Sequence, residues 1–378
     1  MNEIATRPRT GRLLCLWGGL AAALVLSACA ADETTSDTPT NVDQSDMAPP
    51  DGAASPARED AAPALDAAAA LDAGTRFADS AVDASPTPTQ WHTDCPADDV
   101  EERVLNVGEV RLNVACRGAG PTIVFLHGFP EFHYGWYQVM DALAADYRLV
   151  APDQRGYNLS DKPEDVDAYA LERLTTDIVN LLPLVSADPV LLVAHDWGGP
   201  VGWLVAHTPG AHIRGFVSTN GPHPVRFIQL IANDPAQQMA SEYMTFFRSA
   251  GAEAFFTPDR LTQDFGFLDP AALTRYQAAW AQPGAITGGL NWYRANALRE
   301  EDIEGIMTGR SPTVPVPTVV MWGLDDAYVL PANAEGLEAW VPDLTVETFP
   351  GVDHWIAHRI PEEIARVLRT LDAETRTE

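Results

Sequence analysis

Leu191-Leu192-Val193-Ala194-His195-Asp196-Trp197-Gly198-Gly199 decides the reading of this 378-residue chain. An apolar strand runs straight into a small-x-Asp-x-small turn and on into a helical pattern. A strand-to-helix turn this tight strains its central residue and lifts that side chain above the sheet. Bulk on either side would collide across the turn, and Ala194 and Gly198 avoid the collision. Turns of this shape are best known with Ser at the tip, where they serve acyl transfer; here the tip is Asp196. A carboxylate is poorly suited to that chemistry, but it can attack an sp3 carbon and form an ester. The tip points towards epoxide opening or halide displacement and away from ester hydrolysis.

Strands and helices alternate around the turn. Residues 104–107 and 110–116 read as an antiparallel pair turning near Gly108, and 122–126 as a short strand buried on both faces. Helical spacing at 134–145, 171–185 and 199–207 alternates with strands at 147–151, 190–194 and 213–218. This is the pattern of an α/β fold with a mostly parallel, doubly wound sheet. From 223 to 311 the alternation gives way to helical, aromatic-rich sequence that includes Phe246, Phe247, Trp280, Trp292 and Tyr293. Strand character returns at 316–322 and 345–349, with a closing helix after Pro361. The core is therefore expected at 91–222 and 312–378. The intervening segment is expected to form a helical lid over the carboxyl ends of the strands, where open α/β sheets bind ligands.

The N-terminal quarter reads differently. Arg7, Arg9 and Arg12 precede an apolar run over 13–26 that stops at Ser27-Ala28-Cys29. That is an export signal over 1–28, with an apolar run too short to span a bilayer. Leu26-Ser27-Ala28-Cys29 resembles the bacterial lipobox, in which the cysteine is acylated; the other reading is an ordinary cleaved signal. The lipobox implies an exported lipoprotein on the periplasmic side or the cell surface, and Ala30 in place of Asp suggests the outer membrane of a Gram-negative cell. Residues 29–90 are mostly Ala, Asp, Pro, Thr and Ser, so they are expected to form a disordered acidic tether. A large share of the net charge of −29 sits there and argues against a nucleic-acid partner. Cys95 and Cys116 either form a disulfide at the leading edge of the domain or remain two structural thiols. No Cys/His spacing suggests a metal, no Gly-rich phosphate loop follows a strand, and no cofactor is expected.

Four motifs carry a resemblance. They are His127-Gly128-Phe129-Pro130-Glu131; Asp153-Gln154-Arg155-Gly156-Tyr157 with Ser160-Asp161-Lys162-Pro163; His195-Asp196-Trp197-Gly198-Gly199; and Asp353-His354-Trp355. In this order, over nearly all of 101–371, the sequence resembles the α/β-hydrolase fold and its epoxide hydrolase and haloalkane dehalogenase branch. Asp196 reads as the nucleophile rather than a simple helix cap, because a cap has no need of small flanking residues. An ester intermediate needs donors for its oxyanion. The backbone N–H of Trp197 follows from position, and that of Phe129 is implied by the resemblance. Water must then be deprotonated, for which histidine is suited. His354, in the loop after the last strand, matches the family's base, although Asp353 stands where the family usually has Gly. That neighbour either raises the His354 pKa or points to solvent. For the orienting acid, Asp326 fits the family's spacing better than Asp325.

The lid separates the sister chemistries. Epoxide opening needs a donor for the leaving oxygen, whereas halide release wants a cradle of indole or amide N–H groups. Asn291-Trp292-Tyr293-Arg294 and Ser241-Glu242-Tyr243-Met244 resemble the sites of the two lid tyrosines of epoxide hydrolases; otherwise Tyr293 and Tyr243 are packing residues. Phe129 and Trp197 depart from residues common in dehalogenases. The resemblance implies a small apolar epoxide and water as reactants. A dehalogenase and a non-catalytic binder of apolar ligands are the alternatives.

Overall fold

The computed structural model describes residues 90–376. The signal segment, Cys29 and the tether up to Thr89 lie outside them. Eight strands run in chain order: β1 Glu101–Asn106, β2 Arg111–Arg117, β3 Thr122–Leu126, β4 Arg148–Pro152, β5 Val190–His195, β6 Ile213–Thr219, β7 Thr318–Gly323 and β8 Leu344–Phe349. They form one sheet in the order β1-β2-β4-β3-β5-β6-β7-β8. The first two pairings, β1 with β2 and β2 with β4, are antiparallel, and all the others are parallel.

Helices cover both faces, as the parallel part of the sheet demands. On the core they are α1 Tyr137–Leu143, α2 Leu171–Val185 and α3 Gly198–Ala206. Between β6 and β7 come α4 Pro224–Asn233, α5 Pro235–Ala240, α6 Tyr243–Arg248, α7 Pro258–Asp264, α8 Pro270–Trp280, α9 Ala285–Ala295 and α10 Ile303–Met307. The chain closes with α11 Ile356–Arg359 and α12 Pro361–Thr375. Strand alternation divides the core between the two faces. Val124, Leu126, Leu192 and Ala194 point to the side of α2, α3 and the inserted helices. Their neighbours Ile123, Phe125, Leu191 and Val193 pack with Val139 and Leu143 of α1 and Leu368 and Leu371 of α12.

Local chemistry explains the inserted helices. Three of them begin with a capping side chain followed by proline: Asp234-Pro235, Thr257-Pro258 and Asp269-Pro270. The cap accepts an otherwise unpaired N–H, and proline at the first helical position gives up no bond. The helix expected over 134–145 instead opens as a tight 3-10 turn at His133–Trp136 before α1. Such turns are common at helix starts. This one brings Gly135 against Glu131, where a Cβ would lie 2.7 Å from the carboxylate.

Cys95 and Cys116 are disulfide-bonded, with their Cα atoms 5.9 Å apart. The bridge ties the leading segment to β2, and Arg148 clamps the same segment by donating to the carbonyls of Trp91 (2.7 Å) and Thr93 (2.9 Å). For a bridge spanning 21 residues, the loss of unfolded-state entropy stabilises the fold by about 3 kcal/mol. Replacing both cysteines by serine is expected to lower the melting temperature by about 5 °C, read by calorimetry. An unchanged melting temperature would show that the clamp alone holds the segment.

Candidate active site

In strand order the sheet reverses between β3 and β5, the position where open α/β sheets form a crevice at their carboxyl ends. The loops after these two strands bring the first parts of the site together. Asp196 is buried and has φ of +50°, a conformation a non-glycine residue occupies only when its surroundings force it. The forcing is visible in its neighbours. A Cβ on Gly198 would lie 2.5 Å from the Leu126 carbonyl oxygen, and one on Gly128 would lie 2.1 Å from Asp196 Oδ1. With no side chain at either position the backbone closes in, and the N–H of Phe129 donates to Asp196 Oδ1 at 2.7 Å.

The motif beginning at Asp153 holds that loop in place. Gln154 donates from its backbone N–H to His127 Nε2 (3.0 Å) and from its side chain to the His127 carbonyl (2.5 Å). Arg155 forms a two-pronged pair with Asp177 at 2.8 and 2.7 Å, an arrangement that fixes geometry as well as charge. Trp197 opens α3, and its ring packs edge-on to Tyr293 with centroids 5.0 Å apart.

His354 and Asp326 arrive from the far side of the sheet. The Asp326 carboxylate is fully engaged. Its Oδ1 accepts from the backbone N–H groups of Tyr328 (2.8 Å) and Val329 (2.9 Å), and its Oδ2 from the Asn220 side chain (2.6 Å). The same Oδ2 lies 2.8 Å from His354 Nδ1, which places the proton of that nitrogen in the bond and turns Nε2 towards Asp196 Oδ2 at 3.5 Å. Asp325 is exposed. Burial alone would depress the His354 pKa, but the Asp326 charge, with Asp196 on the other side, outweighs it and holds the imidazole well above its ordinary range. The Asp353 carboxylate is occupied by other partners: it takes Arg359 Nη2 at 2.7 Å and the Trp355 N–H at 3.1 Å.

Above Asp196 lies a cavity of about 530 Å³, lined among others by Phe129, Phe247, Phe256, Tyr243, Tyr293 and His354. Tyr243 begins α6 and Tyr293 lies in α9; their rings are 6.3 Å apart. Burial pushes both phenols well above their ordinary range, and the Asp196 charge adds to the rise.

Three features escaped the sequence reading. Asn220 has φ of +44° and bridges two elements, accepting the Gly323 N–H at 2.9 Å while donating to Asp326. Tyr328 adds a third phenol to the cavity, its ring 5.3 Å from that of His354 and 5.6 Å from that of Tyr243. Behind His354, His195 Nε2–H donates to the His354 carbonyl at 2.8 Å, while Glu131 binds Tyr276 Oη and His358 Nε2, both at 2.7 Å. Burial opposes ionisation of Glu131, yet His358 and His195 beside it win and hold its carboxyl well below the usual range.

The chain belongs to the α/β-hydrolase fold family, whose model matches residues 121–358. It is similar to the Bacillus subtilis AB hydrolase superfamily protein YfhM, 36% identical over 72% of this chain and 97% of the relative. Within the family its relatives are epoxide hydrolase-like. Human epoxide hydrolase 4 is 30% identical, over 68% of this chain and 74% of its own. The crystal structure of a Bacillus megaterium epoxide hydrolase in complex with an inhibitor superimposes with a TM-score of 0.65 at 30% identity, covering 71% of this chain and 99% of that one.

Proposed function

We propose that the protein hydrolyses epoxides to vicinal diols through an ester on Asp196. The observation that carries this reading is that two phenols and a carboxylate, Tyr243 and Tyr293 with Asp196, line the same largely apolar cavity. In the first step Asp196 Oδ2 attacks an epoxide carbon, and the carbon–oxygen bond on its far side breaks. The freed oxygen takes a proton from one phenol while the other hydrogen-bonds to it. In the second step His354, oriented by Asp326, first passes the proton it carries in the free enzyme to the phenolate and then removes a proton from water, and the hydroxide attacks the ester carbonyl. The resulting oxyanion is held by the Phe129 N–H, already on Asp196 Oδ1, and by the Trp197 N–H at the start of α3. Collapse releases the diol and leaves His354 protonated, as it is in the free enzyme.

The electrostatics support this order. The negative charge on Asp196 is a shared cause of the raised pKa of His354, Tyr243 and Tyr293. Ester formation removes it. The phenols then become more acidic just as the oxygen needs a proton, and His354 loses one of the charges that keep it protonated.

A single turnover with enzyme in excess in H2 18O tests the path. The ester route leaves the first diol unlabelled and places 18O in Asp196, read by peptide mass spectrometry. Label in the first diol would mean direct attack by water and remove the nucleophile from the proposal.

The chain is further proposed to be exported and lipid-anchored at Cys29. Its support is the lipobox-like Leu26-Ser27-Ala28-Cys29 together with the Cys95–Cys116 bridge, of a kind that persists in oxidising compartments. Metabolic labelling with a palmitate analogue should mark the wild type and not Cys29→Ser; equal labelling of both would count against it.

A further inference from the structure

Asp196, Tyr243 and Tyr293 border two spaces rather than one. On one side is the cavity of about 530 Å³, within the size range that holds a drug-sized ligand. On the other is a lobe of about 20 Å³ walled by Trp197, Pro222, Phe227, Met244, Leu298 and Val329. A cavity of that size has room for about one water. A methylene fits there and a phenyl ring does not.

Two walls of the lobe are held in place. Val329 donates its N–H to Asp326 Oδ1 at 2.9 Å and accepts from Trp322 Nε1 at 3.2 Å, so it cannot withdraw without releasing the acid that orients His354. Leu298 is buried at φ of +57°, a costly conformation for a branched side chain. Arg248 holds the chain just before it, donating to the carbonyls of Tyr293 (3.0 Å), Asn296 (3.3 Å) and Ala297 (3.2 Å).

In-line attack sets what these spaces mean. With the epoxide oxygen on the phenols and a ring carbon facing Asp196, the substituents of a trans-1,2-disubstituted epoxide point in opposite directions. One enters the large cavity and the other must enter the small lobe. We propose that the site is built for epoxides with a bare CH2 end and one bulky apolar substituent, and that Phe227, Met244, Leu298 and Val329 exclude trans-1,2-disubstituted epoxides. The proposal rests on the epoxide reading above.

The test compares kcat/KM of the wild type for styrene oxide, trans-stilbene oxide and cis-stilbene oxide, scoring diol. The trans isomer is expected at least 100-fold below styrene oxide. The cis isomer, with the same atoms but both rings on one side, is expected at least tenfold above the trans. Trans-stilbene oxide within tenfold of styrene oxide would overturn the proposal, and equal rates for the two isomers would show that bulk alone decides. Leu298→Ala and Met244→Ala should each narrow the ratio of styrene oxide to trans-stilbene oxide at least tenfold; an unchanged ratio in both folded variants would acquit these walls. Loss of the epoxide reading itself shows separately, as no diol from styrene oxide, and takes the proposal with it.

Discussion

Asp196→Ala is expected to lose at least about 10⁴-fold in kcat on a terminal epoxide, with the melting temperature close to that of the wild type. Losses of this order follow removal of a covalent nucleophile whose partners act with it as a unit. The buried carboxylates of the site are already committed. Asp326 is saturated by four hydrogen bonds, and Glu131 is committed to Tyr276 and His358. Substrate should still enter, because the apolar cavity and both phenols remain, so an unreactive apolar ligand should keep its affinity. The variant also removes one of the two charges beside His354. By NMR the imidazole pKa should move down from its raised position while staying above that of a histidine without a carboxylate partner, since Asp326 is untouched. Turnover above about one per cent of wild type would mean that the chemistry does not pass through this residue, and an unmoved imidazole would mean that the pair is not coupled.

What could be read from the chain was whatever depends on local sequence. The turn at Asp196 is legible because its geometry demands small residues at fixed offsets, and Gly198 sits where a Cβ would strike the Leu126 carbonyl. The mostly parallel sheet follows from short apolar strands alternating with helical segments. Asn220 was not legible. It is one polar residue just after β6, and its role exists only because the neighbouring strand β7 brings Gly323 and Asp326 to it. Glu131 stood inside a quoted motif, but its partners Tyr276 and His358 lie 145 and 227 residues away in sequence. Spacing favoured Asp326 over Asp325 without deciding between them. In the fold one faces solvent and the other lies on His354, a distinction set by the turn after β7 and by the backbone donors of Tyr328 and Val329. Asp353 is a similar case: only the fold brings Arg359 onto its carboxylate, giving it a partner other than the imidazole it precedes.

His354→Gln separates the two half-reactions, and its expected result is an enzyme that reacts once and stops. Ester formation requires the Asp196 carboxylate and the phenols, all of which remain. Hydrolysis requires a group that can take a proton from water, and glutamine cannot. Loss of a general base costs typically 10²–10⁴-fold, so steady-state turnover should fall by about that factor. Intact-protein mass spectrometry should meanwhile show a single adduct of substrate mass, lost when Asp196 is also replaced. The pH dependence carries an independent sign. In the free enzyme both Asp326 and Asp196 raise the His354 pKa, so the imidazole stays protonated to a pH well above its ordinary titration. Once Asp196 is an ester only Asp326 acts on it, and the pKa falls. The apparent pKa in kcat/KM, which reports free enzyme, should therefore lie above the one governing decay of the ester in single turnovers. The reverse order, or a His354→Gln enzyme that turns over without an adduct, would assign the base to another residue. Tyr328 would then be the group to examine, since its ring lies against both His354 and Tyr243.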